Sequence, residues 1–169
     1  YIGVSNFSGE QHAEALRYGP VHSSQPRYNM LFRAAGKSVL PACLERGVGI
    51  IAHSPLAKGM LTGKYRPGHT FPADDERNGH AVFRPGGFEA AQPYVDRLSA
   101  WAADQGRTIT QLAIAWTLAH PAVTSSIVGA KTPEQVVENA SAAEWRLTDS
   151  ELAEVNGILG SFSLDVAQA

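Results

Sequence analysis

The stretch Ile51-Ala-His-Ser-Pro-Leu-Ala-Lys-Gly-Met-Leu-Thr-Gly-Lys-Tyr65 decides the fold. Its apolar start reads as a β-strand that stops at His53-Ser54-Pro55, and a loop of small residues then carries Lys58 and Lys64. A buried parallel strand delivers polar groups to the mouth of a barrel in this way. Two more strand-like runs, Ile2-Gly-Val-Ser-Asn6 and Ser125-Ser-Ile-Val-Gly-Ala-Lys131, end in similar chemistry.

Working outward, near-continuous apolar runs predict strands buried on both faces, separated by helical patterns. Strands are expected over residues 1–6, 21–25, 49–52 and 125–128. Ser8 with Gln11 forms a capping-box signature for the first helix, and Gly19-Pro20 closes it. A helix around Ser38–Arg46 ends at Gly47 in the C′ position. Helical patterns also cover 88–105 and 110–120, the latter stopped by Pro121. Thr132-Pro133-Glu134-Gln135 reads as N-cap, first-turn proline and a box-closing glutamine. Thr148 with Glu151 repeats the box for a final helix and tail over 148–169. The polar segment 62–87, rich in Gly, Pro, Asp and Arg, is too long for an ordinary connection and is expected to be a lid or a flexible excursion. Four strand-then-helix units make a (βα)₄ array in one domain spanning 1–169, half of a (β/α)₈ barrel. An open doubly wound sheet is the alternative, but its Gly-x-Gly-x-x-Gly turn is missing after the first strand.

Composition removes several classes of function. An apolar fraction of 44% and a charged fraction of 18% suit a folded globular domain. With a net charge of −2 and no basic stripe, neither nucleic acid nor an anionic membrane is an expected partner. No apolar run reaches the roughly 20 residues of a membrane span. Cys43 is the single cysteine, so there is no internal disulfide; it falls in an apolar helical pattern with Leu40 and Leu44 and is expected in the core. The histidines show no i, i+4 pairing or acidic cluster, so no metal is assigned.

At the strand ends stand Ser5-Asn6, Gln25, His53-Ser54 and Gly129-Ala130-Lys131. Neutral Ser, Asn and Gln side chains offer donors and acceptors together, which suits a carboxamide better than a phosphate. Ser5 and Asn6 equally suit a simple turn cap. The His53 ring can stack on a flat ligand, or be a histidine satisfied by a neighbouring loop. Gly129 and Ala130 leave the backbone open, the helix at Thr132 aims N–H groups outward, and Lys131 adds a charge, a combination suited to an anion. Gln135, Glu138 and Asn139 share one helical face, fit to read a ribose or adenine, or to serve as a capped, solvated face. These strand ends together point to a dinucleotide site.

Ile2-Gly-Val-Ser-Asn-Phe7, Gln25-Pro-Arg-Tyr-Asn-Met-Leu-Phe-Arg33, His53-Ser-Pro-Leu-Ala-Lys-Gly59 and Gly129-Ala-Lys-Thr-Pro-Glu-Gln-Val-Val-Glu-Asn139 resemble the aldo-keto reductases, most closely the branch of bacterial general-stress reductases and potassium-channel β-subunits. The resemblance implies a TIM (β/α)₈ barrel of the aldo-keto reductase type, of which this chain matches the C-terminal half, strands five to eight. It implies a cytoplasmic enzyme reducing an aldehyde or ketone to an alcohol with NADPH. Ser5, Asn6 and Gln25 would hold the nicotinamide carboxamide, and His53 would take the place of the usual stacking aromatic. Ser54, Leu56, Lys58 and Lys64 would meet the pyrophosphate, Gly129 and Lys131 the adenosine phosphate, and Gln135, Glu138 and Asn139 the adenine. The family's catalytic Asp, Tyr, Lys and His belong to the first four strands, so no catalytic residue is assigned and the chain alone is expected to be inactive. Its expected partners are a small carbonyl substrate and the missing N-terminal half-barrel, or a second copy if it stands alone with an apolar inner face exposed. A non-catalytic NADP(H)-binding module or an inactive fragment is the alternative.

Overall fold

A computed structural model describes residues 1–160 and 162–164. Four strands, β1 (Gly3–Ser5), β2 (Ser23–Gln25), β3 (Gly49–His53) and β4 (Val123–Ile127), form one sheet in the order β1-β2-β3-β4. All three pairings are parallel, with Val4 opposite Ser24, Ser24 opposite Ile50 and His53 opposite Ile127. A doubly wound sheet reverses its strand order at a switch point. This sheet has no reversal, so right-handed crossovers put the connecting helices on one face.

That one-sidedness corrects the expectation of strands buried on both faces. Ser24, Ile50 and Ala52 point at the helices and are fully buried. The opposite face carries Gly3, Ser5, Ser23, Gln25, Gly49, Ile51, His53, Ser125 and Ile127, none of them buried. Only Ile51 and Ile127 on it are aliphatic, so the expected apolar inner face is mostly small and polar. The apolar strand runs misled because half of each run faces outward from the helical layer.

Helix α1 (Gly9–Leu16) has the Ser8–Gln11 box in both directions. A short α2 (Ala34–Lys37) precedes α3 (Val39–Glu45), after which Gly47 adopts a φ of 66°. Cys43 and Leu40 are buried as expected, but Leu44 is 52% exposed and lies outside the core. Helix α4 (Gly87–Asp104) buries Val95, Leu98 and Ala102. Helix α5 (Ile109–Leu118) starts earlier than expected, capped by Thr108 with Gln111. Buried nearly all round, it fills the space between the sheet and α4. Helix α6 (Pro133–Ser141) is capped by Thr132, but Gln135 does not close the box: its Oε1 accepts from the Lys131 backbone N–H instead, at 2.8 Å. Helix α7 (Asp149–Leu159) has the full Thr148–Glu151 box. Of the expected final helix and tail, residues 161 and 165–169 lie outside the described residues.

The excursion over 62–87 packs onto the main core through an aromatic cluster. Tyr65 and Val82 are buried, and Phe71 meets Tyr65 and Phe83 edge-on at 5.1 and 4.8 Å. The Arg77 guanidinium lies 4.2 Å over Phe71 and donates to the Tyr65 hydroxyl. At the other end of the chain, Arg33 donates to the carbonyls of Gly160 and Phe162, Leu164 N–H donates to Leu31 O at 2.7 Å, and Phe162 stacks on Tyr94. No helix among the described residues is long and apolar enough to cross a membrane.

Core position and exposure predict contrasting mutational costs. Leu112, with no exposed surface, should lose about 2–5 kcal/mol on Leu112→Ala, whereas Leu44→Ala should cost less than about 1 kcal/mol. Denaturant unfolding of the two variants measures the difference, and equal costs would refute this packing.

Candidate functional site

The site begins where β3 stops. Past His53 the backbone takes left-handed conformations at Ser54 (φ 57°), Ala57 (47°), Lys58 (57°) and Gly59 (98°). Each non-glycine residue there costs of order 1 kcal/mol, and such strain persists only where surrounding structure fixes it. Asn29, fully buried in the loop after β2, supplies part of that fixation. Its Nδ2 donates to Ser54 O at 2.8 Å, while its Oδ1 accepts from Leu31 N–H and Phe32 N–H at 3.0 Å each. At Gly59 a Cβ would approach the Tyr65 ring to 3.1 Å, so a side chain fits there poorly by space as well as by φ.

The His53 ring is tied at both nitrogens. Nε2 donates to Asn6 Oδ1 and Nδ1 accepts from Ser54 Oγ, each at 2.9 Å, as the neutral Nε2–H tautomer allows. Burial, then the charges of Arg27 and Lys58, hold its pKa below the ordinary 6.5. Asn6, with φ at 57°, closes the end of β1, and the Ser5 hydroxyl donates to Gln25 O at 3.2 Å. Ser5, Asn6, Gln25 and His53 thus form one row of neutral polar groups across three strand ends.

From His53 a groove of about 970 Å³ runs toward α6. His53, Ser54, Leu56, Lys58, Lys64, Gly129, Lys131, Gln135, Glu138 and Asn139 all line it. Ser5, Asn6 and Gln25 do not, and join it through the Asn6–His53 hydrogen bond. A Cβ on Gly129 would meet no protein atom within 4 Å, so the open backbone there faces the groove. Two of the expected outward N–H donors at the start of α6 are taken: Lys131 N–H by Gln135 and Gln135 N–H by Thr132. Lys131 itself is the cation at that end. Asn139 Nδ2 reaches back to Gly129 O at 3.4 Å.

Polar lining residues without a sequence assignment are Thr62, Thr108, Thr110, Glu76 and Arg77. Thr108 caps α5 and donates from Oγ1 to Glu138 Oε1 at 2.7 Å, fixing that carboxylate against the groove wall. The Thr108-x-x-Gln111 spacing was the signal for it. Glu76 crosses from the excursion to accept from Lys58 Nζ at 2.7 Å. Asp75 is held well below the usual carboxylate range by hydrogen bonds from Arg77, with a smaller contribution from the Lys131 charge. Cations at both ends, neutral donors and acceptors at one, and an amide–carboxylate pair at the other fit an elongated, partly anionic ligand. No group of metal-ligating side chains occurs among the described residues. No described tyrosine lines the groove: Tyr28 stacks on Trp116 with burial raising its pKa to about 12, and Tyr65 is buried in the core.

His12, His53, His80 and His120 all have lowered pKa values, with burial the largest cause of each. The unfolded chain therefore takes up protons first as pH falls, so stability is full above about pH 6.5 and declines below it. Unfolding free energies measured between about pH 8 and 5 should show that decline, with the His53 ring titrating below about 6.5 by NMR. Stability that rises on acidification would contradict it.

Comparison with known proteins places the chain. The Aldo/keto reductase family model matches residues 1–159. The chain is 37% identical to the L-glyceraldehyde 3-phosphate reductase of Escherichia coli (strain K12), over all of this chain and 52% of that protein. It is 35% identical to a putative voltage-gated potassium channel subunit beta of Schizosaccharomyces pombe, over 98% of this chain and 52% of that one. The solved structure of a glycerol dehydrogenase from Gluconobacter oxydans superposes with a TM-score of 0.86 at 32% identity, covering 97% of this chain and 50% of its own. The chain thus spans about half the length of the relatives it matches. With its parallel sheet, its groove at the strand ends and these relatives, the chain belongs to the aldo/keto reductase family.

Proposed function

We propose that this chain is the cofactor-holding, C-terminal half of an NADPH-dependent aldo-keto reductase that reduces an aldehyde or ketone to an alcohol. The groove joining the His53–Lys64 loop to the Gly129–Asn139 segment carries this reading. NADPH would supply the hydride. Ser5, Asn6 and Gln25 hold the carboxamide through paired donors and acceptors, and His53, locked between Asn6 and Ser54, offers its neutral face to the nicotinamide. Ser54, Leu56, Lys58 and Lys64 take the pyrophosphate, with Lys58 exchanging Glu76 for phosphate oxygens. Gly129 gives room and Lys131 charge at the adenosine phosphate, and Gln135, Glu138 and Asn139 receive the adenine. An aldehyde substrate accords with the name of the Escherichia coli relative.

Two observations support completion by a further half-barrel as the principal partner. Both edge strands are largely exposed, and beside β4 a hollow of about 480 Å³ includes Ser126, whose buried Oγ has no hydrogen-bond partner. Beyond that half, we propose a small carbonyl substrate as partner, neither nucleic acid nor membrane, and a cytoplasmic location. A second reading, a non-catalytic NADP(H)-binding module or inactive fragment, draws on the lack of a groove-lining tyrosine among the described residues.

Assaying carbonyl turnover with NADPH separates the two readings. The complete protein should reduce small aldehydes while residues 1–169 alone do not; a complete protein that binds NADPH without turnover would establish the module instead. In that complete protein, Lys131→Ala should weaken NADPH at least tenfold, about 1.4 kcal/mol, and NADH far less, because the lost charge faces a 2′-phosphate. Equal losses for both cofactors would remove Lys131 from that role.

A further inference from the structure

Arg27 stands at the mouth without a counter-ion. It lies two residues past Gln25, so its side chain shares the inner sheet face with Gln25, about 7 Å nearer the rim. An isolated parallel bridge sets it directly beside His53. Its Cζ lies 4.0 Å over the Phe32 ring, and His80 meets the same ring edge-on at 5.6 Å. Among the described residues the half-buried guanidinium makes no ion pair and no side-chain hydrogen bond. The guanidinium is a planar fork of five N–H donors, and contact with one aromatic ring leaves those donors without a hydrogen-bond partner.

The surroundings are positive. The charges of Arg27 and Lys58 both act on His53 and His80, and Arg84 adds to the field at His80. The one carboxylate acting on His80, Glu76, is already bonded to Lys58. A half-buried guanidinium in such a field calls for an anion, and its fork matches a carboxylate or phosphate in two parallel hydrogen bonds. The cofactor phosphates belong to the groove on the far side of His53, whose lining does not include Arg27.

We infer that Arg27 docks an anionic group, a carboxylate or a phosphate monoester, carried by the carbonyl substrate itself. The inference rests on the cofactor reading above: with nicotinamide over His53, a substrate reaching it passes Arg27 one strand away. The anion then anchors the far end of the substrate and turns its carbonyl inward.

The test uses the complete protein and two matched pairs of substrates. In one pair 4-carboxybenzaldehyde is set against its methyl ester; in the other a phosphorylated triose is set against the unphosphorylated triose. The readout is the ratio of kcat/KM for the anionic over the neutral member. The wild type should favour the anionic member of at least one pair, Arg27→Met should lower that ratio at least tenfold through KM, and Arg27→Lys should keep more of it than Met does. A fall in one pair alone names the anion that is bound. Unchanged ratios in both pairs, with turnover intact, would overturn the Arg27 assignment and leave the reductase reading standing. Failure of the wild type to reduce any of the four would defeat the reductase reading, and this inference with it.

Discussion

The mouth of the site depends on the buried carboxamide of Asn29. A primary amide in a dry interior must find partners for both ends or cost a few kcal/mol. Asn29 meets that demand by bridging two loops: its oxygen organises the turn after β2, and its nitrogen holds Ser54 after β3. Ser54 in turn bonds the His53 ring, whose other nitrogen reaches Asn6 after β1. Three strand ends are thus locked by one chain of neutral hydrogen bonds, and the left-handed backbone that follows is held against its own strain.

Two of the cations lining the groove are paired before any ligand arrives. Lys58 is matched by Glu76, and Arg77 by Asp75. The Lys58–Glu76 pair is largely exposed, so it adds little to stability and exchanges partners at small cost. An incoming phosphate can take Lys58 while Glu76 returns to water. The excursion keeps its place through its aromatic cluster instead, so its position does not depend on the exchanging pair.

Much of this was legible in the sequence because it is local. The Ser8–Gln11 and Thr148–Glu151 boxes are i, i+3 relations that the helix itself enforces. The alternation of strand and helix likewise foretells parallel strands, and the missing Gly-x-Gly-x-x-Gly turn points to the unreversed order. What escaped depends on competition or distance. Gln135 has two backbone donors within reach and takes that of Lys131 rather than Thr132. Leu44 and Cys43 are adjacent on a seven-residue helix, where one step of about 100° separates core from solvent. Asn29 reads as an ordinary turn residue until its burial is known. Glu76 meets Lys58 across 18 residues of irregular chain that no periodicity describes.

The contacts of Arg33 and Leu31 with the chain beyond α7 have a kinetic side. They close loops of roughly 130 residues, whose closure entropy in an open chain is about 4 kcal/mol from the length alone. That cost shrinks only once the intervening body has folded and brought the ends together. The clasp is therefore a late event in folding. The turn after β2, which carries Arg27 and Asn29, is finished only after synthesis has passed Leu164.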